Sequence, residues 1–179
     1  MIKELINKID LDFLDSKIFL EQNFKVSEKN SLEVLQTKVS ILTLGTYIEN
    51  RTYQVILEFL NKNNEVLLQE FLNNQALSRK FHTMFDFKSN NLNNFFRLFG
   101  NDFSDFMKNK VKTDDEFKDS ISAFLNICIK RNVLAHENFY LTSIDLTLDE
   151  VYSKAEKIEL FFKKFQEYSF EFSKENTSA

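Results

Sequence analysis

Proline is absent from the 179 residues and glycine occurs only twice, so the chain holds almost none of the material from which tight β-turns are made. A hairpin-rich β architecture is thereby excluded. The single cysteine, Cys128, excludes an intramolecular disulfide and a cysteine-based zinc site, and the chain reads as intracellular. Tryptophan is missing altogether. No segment reaches the ~18 uninterrupted apolar residues of a membrane span. The N-terminus MIKELINKIDLDF alternates charged and apolar residues, unlike a signal peptide, so the expected location is the cytoplasm. A net charge of -4 provides no global basic footprint, and any nucleic-acid contact must be local. The sequence also lacks a glycine-rich phosphate loop, a serine or cysteine nucleophile context and a dense set of metal ligands, so neither metal nor cofactor is expected.

What is present is phenylalanine, 21 residues of it, which implies a core packed largely by aromatic rings. The length suits one domain, long enough to bury about 70% of its unfolded surface. Apolar residues recur at helical spacing in several segments. Residues 2 to 24 carry Ile2, Leu5, Ile6, Ile9, Phe13, Ile18 and Phe19, as one broken helix or two short ones. Asn30 with Glu33 reads as an N-cap pair opening a helix to Leu60, with Gly45 on its apolar face where it would let another helix approach closely. A shorter helix is expected over 64–75, then a polar irregular stretch over 78–91. A helix over 91–99 follows, with Gly100 as its C-terminal cap, and a brief one over 103–111. Thr113 with Glu116 and Thr147 with Glu150 form capping-box patterns that start the last two helices, at Asp114 and after Thr147. These readings predict an all-α bundle of four principal helices with short additional ones, a single domain over 1–172, and a frayed tail over 173–179.

The most informative segment is ICIKRNVLAHENFY, residues 127–140. Phe117, Ile121, Phe124, Leu125, Cys128 and Ala135 fall on one helical stripe, Asn132 lies inside it, and Arg131 and His136 flank it about 140° apart around the axis. A cation and an imidazole flanking a polar amide suit a phosphate. The same three residues near a helix C-terminus would equally complement the helix dipole and bond its last carbonyls, and composition alone leaves both readings open.

Arg131-Asn132-Val133-Leu134-Ala135-His136 resembles the signature of the HEPN superfamily, an Arg separated by four to six residues from a His. The order of the remaining segments, LGTYIEN at 44–50, FFRLFGNDFSDF at 95–106, the helix bearing the signature and one final helix, is similar to the RiboL-PSP-HEPN branch over residues 30–170. Glu137 stands where many relatives carry glycine. The resemblance implies a metal-independent endoribonuclease of a toxin–antitoxin or phage-defence system. RNA would be its substrate, a homodimer its working form, and an antitoxin or defence protein its cognate partner. Catalysis would fall to Arg131, His136 and Asn132. The same resemblance admits a non-catalytic HEPN-like module for RNA binding, antitoxin function or dimerisation, and a structural helical domain is the third reading.

Glu49 breaks the border of the apolar stripe on the long helix, where an ionised carboxylate is costly unless paired. Its partner is either Arg131, as the resemblance implies, or Arg51, Lys38 or solvent. Weaker candidates for RNA contact are Arg51, on the opposite border of that stripe, and Lys108, Lys110 and Lys112, which fit a solvated helix end equally well. Lys163 and Lys164 are expected to face outward. His82, after Arg79 and Lys80, ranks low as a catalytic residue.

Overall fold

The computed structural model describes residues 2–62, 71, 84–87, 89 and 91–177. Among these residues there are no strands, and six helices: α1 (Ile2–Gln22), α2 (Val26–Lys62), α3 (Asn93–Arg97), α4 (Asn101–Thr113), α5 (Asp115–His136) and α6 (Leu148–Thr177). The four long ones carry an all-α bundle, and α3 and α4 are the short additions. The helix expected over 64–75, most of the polar stretch over 78–91, and Arg79, Lys80 and His82 lie outside the described residues.

The helices α2, α5 and α6 pack against one another, α1 lies along α2 and α6, and α4 touches α3, α5 and α6. Rings fill the space between them. Phe95, Phe99, Phe103 and Phe165 are buried and meet at centroid distances of 5.3 to 6.2 Å. Phe117, Phe124 and Phe161 extend the cluster along α5. Such offset and edge contacts add to the stability of apolar burial. Below this cluster a polar knot joins three helices: Tyr152 of α6 and the buried Gln36 of α2 both donate to Asp10 of α1, at 2.6 and 2.7 Å. Burial and the adjacent Asp10 carboxylate push the Tyr152 phenol up to about 12.

Several helix ends differ from the sequence expectation. The first helix is unbroken, and the chain reverses at Phe24, which adopts φ 56°. Lys25 N–H donates to the Leu20 carbonyl and Phe24 N–H to that of Glu21, the bonding of a helix-terminating Schellman turn. Glycine usually holds that position. With only two glycines in the chain a phenylalanine does so, at a cost of about 1 kcal/mol. Because this turn fixes the reversal, α2 starts at Val26, and Asn30 and Glu33 lie inside it.

Gly100 caps no helix C-terminus. At φ 103° and ψ 163° it is the N-cap of α4, a conformation open to glycine alone. The cap of α5 is Asp114, whose carboxylate accepts from Phe117 N–H at 3.0 Å, while Thr113 still belongs to α4 and its hydroxyl donates back to the Asn109 carbonyl. A carboxylate outcompetes a hydroxyl at the positive end of a helix dipole. The Thr147–Glu150 box forms as its pattern predicts: Thr147 N–H donates to the Glu150 carboxylate at 2.7 Å, and Glu150 N–H donates back to the Thr147 hydroxyl. The last helix passes Phe172 and runs to Thr177, because Phe172 packs on Phe103 and Phe106 and Ser173 is buried.

Candidate active site at the end of helix α5

Helix α5 ends on His136, and Glu137, fully extended at φ -103° and ψ 175°, leads the chain away. No glycine is needed for that exit. One turn before the end, Arg131 leans across α2. Its stem lies directly over Gly45, where a Cβ would stand 2.4 Å from Arg131 Cγ and 2.9 Å from its Cβ. No larger residue at position 45 would leave the arginine where it is. The guanidinium then meets Glu49 one turn further along α2: Nη2 donates to Oε2 at 3.4 Å, and Nη1 donates to Asn132 Oδ1 at 3.3 Å. Of the partners open to Glu49 in the sequence, the structure brings up Arg131. Lys38 and Arg51 are engaged elsewhere.

Both bonds are long for a charged donor, which ordinarily sits at about 2.7–2.9 Å from a carboxylate. The Arg131 and Glu49 side chains are 22% and 31% exposed, so the pair borders solvent. Cys128, a turn earlier, is buried, and burial pushes its thiol far up, so it has no thiolate to offer. His136 is exposed, and its imidazole makes no hydrogen bond or ion pair among the described residues. Ala135, expected on the buried stripe, is exposed as well, because the end of α5 projects past the core after Leu134.

The chain after His136 is held at three points. Lys38, buried in α2, donates from Nζ to the carbonyl of Phe139 at 2.7 Å and lies 5.3 Å from the centre of its ring. The Asn138 side chain accepts from the N–H groups of Tyr140 and Leu141. Lys130 pairs with Asp145 at 2.5 Å, and that bond holds the Asp145 carboxyl below its ordinary range. Lys38, Gly45 and Glu49 share one face of α2, at spacings of seven and four residues. That face receives both the end of α5 and the loop beyond it. Lys38 was the residue hardest to foresee, although a lysine in register with Gly45 on an apolar face is the signal that could have found it.

The weaker candidates are not gathered here. Arg51 braces α2 against α6, donating to Glu58 at 3.1 Å and Gln166 at 3.3 Å, with Phe162 under its guanidinium. Lys108 pairs with Asp105, and Lys110 with Glu171. These two and Lys112 sit beyond the N-terminal end of α5, about 24 Å along the helix from Arg131. Lys164 does not face outward: it binds Asp114 at 2.6 Å and Glu116 at 2.8 Å. Among the described residues no group of three or more His, Cys, Asp or Glu side chains is placed to hold a metal ion, and no helix is long and apolar enough to cross a membrane.

The order of the helices and the placement of residues 131–136 can be set beside known families. A profile of the RiboL-PSP-HEPN family matches residues 2–169, nearly the whole chain. The chain belongs to the RiboL-PSP-HEPN family. This HEPN domain therefore includes α1, ahead of the segments over 30–170 that carry the resemblance, and the match spans Gly45, Glu49 and the 131–136 segment. No curated protein and no solved structure matches the chain.

Proposed function

We propose that this HEPN protein is a metal-independent endoribonuclease acting in a toxin–antitoxin or phage-defence system. The observation that carries the reading is the pose of Arg131: laid over Gly45, tied to Glu49 and Asn132, and bordering solvent about one and a half helical turns from an exposed His136. Such a pair suits RNA, because RNA brings its own nucleophile. The 2′-oxygen attacks the adjacent phosphorus, its proton passes to an imidazole, and the P–O5′ bond breaks as the 5′-oxygen takes a proton from an acid. The products are a 2′,3′-cyclic phosphate and a 5′-hydroxyl. His136 is the acid–base group, Arg131 stabilises the charge growing on the phosphoryl oxygens, Asn132 orients the phosphate, and Glu49 holds Arg131 in place.

Among the described residues one chain offers one imidazole at this end, whereas the reaction uses a base and an acid. A homodimer with the two α5 ends at its axis supplies both, and it gathers two arginines in one cleft of an otherwise acidic protein. The expected interface buries at least about 1,200 Å² in total. A cognate antitoxin or defence-system protein would neutralise or trigger the enzyme. The test is to incubate the purified protein with single-stranded RNA in EDTA and analyse the ends formed. Cleavage that leaves 2′,3′-cyclic phosphate supports the reading. Strict dependence on added divalent metal, or equal cutting of DNA, contradicts it. RNA binding without cleavage would favour the non-catalytic module.

A further inference from the structure

Next to the candidate site a groove of about 560 Å³ runs between the first turns of α2 and the loop after His136. Its volume falls in the range of small-ligand sites. Along α2 it extends from Ser27 to Lys38, about 17 Å of helix. Ser27, Asn30 and Ser31 line one stretch with polar groups, and Phe139 and Tyr140 close the other side. Tyr140 is 85% exposed, its ring perpendicular to that of Phe139 at 5.7 Å, so most of its aromatic surface stands open.

Lys38 supplies the charge. It is 5% exposed, its ammonium is met by the carbonyls of Phe139 and Tyr140, and among the described residues no carboxylate forms an ion pair with it. Carbonyl dipoles satisfy donors without cancelling a charge, and a buried cation so placed favours an anion at the mouth of its groove. Phe139 is three residues from His136, so the two backbones are within about 11 Å.

We infer that this groove is a nucleotide-binding subsite, taking an RNA phosphate near Lys38 and stacking the neighbouring base on Tyr140. The inference rests on the ribonuclease reading and adds to it the residues that hold the strand beside the scissile bond. Stacking on Tyr140 tolerates any base, while Asn30, Ser27 and Ser31 offer donors and acceptors to a base edge or a ribose hydroxyl.

The test uses the full chain carrying His136→Ala, which keeps RNA intact, and a fluorescent single-stranded hexaribonucleotide read by anisotropy at several salt concentrations. In that background Tyr140→Ala is expected to bind at least about fivefold more weakly. Lys38→Met is expected to lower the slope of log affinity against log salt by about 0.7. Ser31→Glu, which sets a carboxylate in the groove, is expected to weaken binding most at low salt. Tyr140 and Ser31 are exposed, so these two variants keep the inference open to refutation if Lys38→Met fails to fold. Unchanged binding by the Tyr140 and Ser31 variants overturns the subsite while leaving the ribonuclease reading standing. If the His136→Ala protein binds no RNA at all, both fall. A change of oligomeric state in Tyr140→Ala, seen by light scattering, would make the groove a contact between protein chains and overturn the inference.

Discussion

The two ends of α5 handle charge in opposite ways. At the N-terminal end, Asp114 accepts from Phe117 N–H, from Lys164 at 2.6 and 2.8 Å, and from Tyr168, while Glu116 takes a further bond from Lys164. Burial alone would raise the Asp114 carboxyl, yet these donors outweigh it and hold the group down to about 2. Burial likewise opposes the charge on Lys164, and its bonds to Asp114 and Glu116 still lift it to about 12. At the C-terminal end, the bonds from Arg131 to Glu49 and Asn132 are long and His136 stands in solvent. A helix end whose charges are saturated at short distance serves the fold. One whose charges border solvent at long distance is suited to a ligand.

The largest effect that would sharpen this contrast is expected from Arg131→Ala. Removing a group that stabilises transition-state charge lowers RNA cleavage about 10²-fold or more. It also leaves Glu49 partly buried without its cation, and thermal melting should register a loss of about 1–3 kcal/mol. Glu49→Gln, which keeps the shape and removes the charge, should recover most of that stability in the double variant.

Gly45→Ala comes next. Alanine favours a helix over glycine by about 1 kcal/mol, but its Cβ would stand 2.4 Å from Arg131 Cγ, and overpacking of this kind costs about 1–3 kcal/mol. The expected outcome is a folded protein with a displaced arginine and cleavage reduced at least about tenfold. Full activity in Gly45→Ala would show that Arg131 acts from some other pose.

Asp114→Asn tests the opposite end and should spare activity. The substitution keeps a capping side chain and removes the carboxylate from Lys164 and Tyr168, for a loss of about 1–2 kcal/mol at neutral pH. The folded value of about 2 lies below the ordinary 3.8, so this contribution is fully present above about pH 4 and fades as pH falls toward 2. Melting curves of parent and variant should therefore converge in acid. The smallest effects belong to Lys108→Ala and Lys112→Ala, which should leave cleavage unchanged and stability within about 0.5 kcal/mol.

The four long helices and the Phe core could be read from the sequence because apolar spacing at Phe117, Phe124, Phe161 and Phe165 is a local signal. Arg131, Asn132 and Glu49 also announced themselves, as polar residues breaking apolar stripes. The ends of helices were less legible. Asp114 and Thr113 are both good caps, and the choice depends on Lys164, 50 residues away. The start of α2 depends on a phenylalanine taking a glycine's backbone role at Phe24, which propensity argues against. Gly45 was legible as a point of close approach, whereas Lys38 acquires its meaning from the carbonyls that lie on it, and spacing on α2 gives no account of the chain after His136.

The contrast between the two ends of α5 is tested most directly by cleavage of single-stranded RNA by parent and His136→Ala proteins side by side in EDTA, with both melting curves recorded. An exposed imidazole without hydrogen-bond or ion-pair partners among the described residues should cost less than about 1 kcal/mol when truncated, while loss of a general acid–base group should lower cleavage about 10²-fold or more. Coincident melting with cleavage lost in the variant is the predicted result. Coincident melting with cleavage retained would contradict the account, and so would a variant that cannot fold.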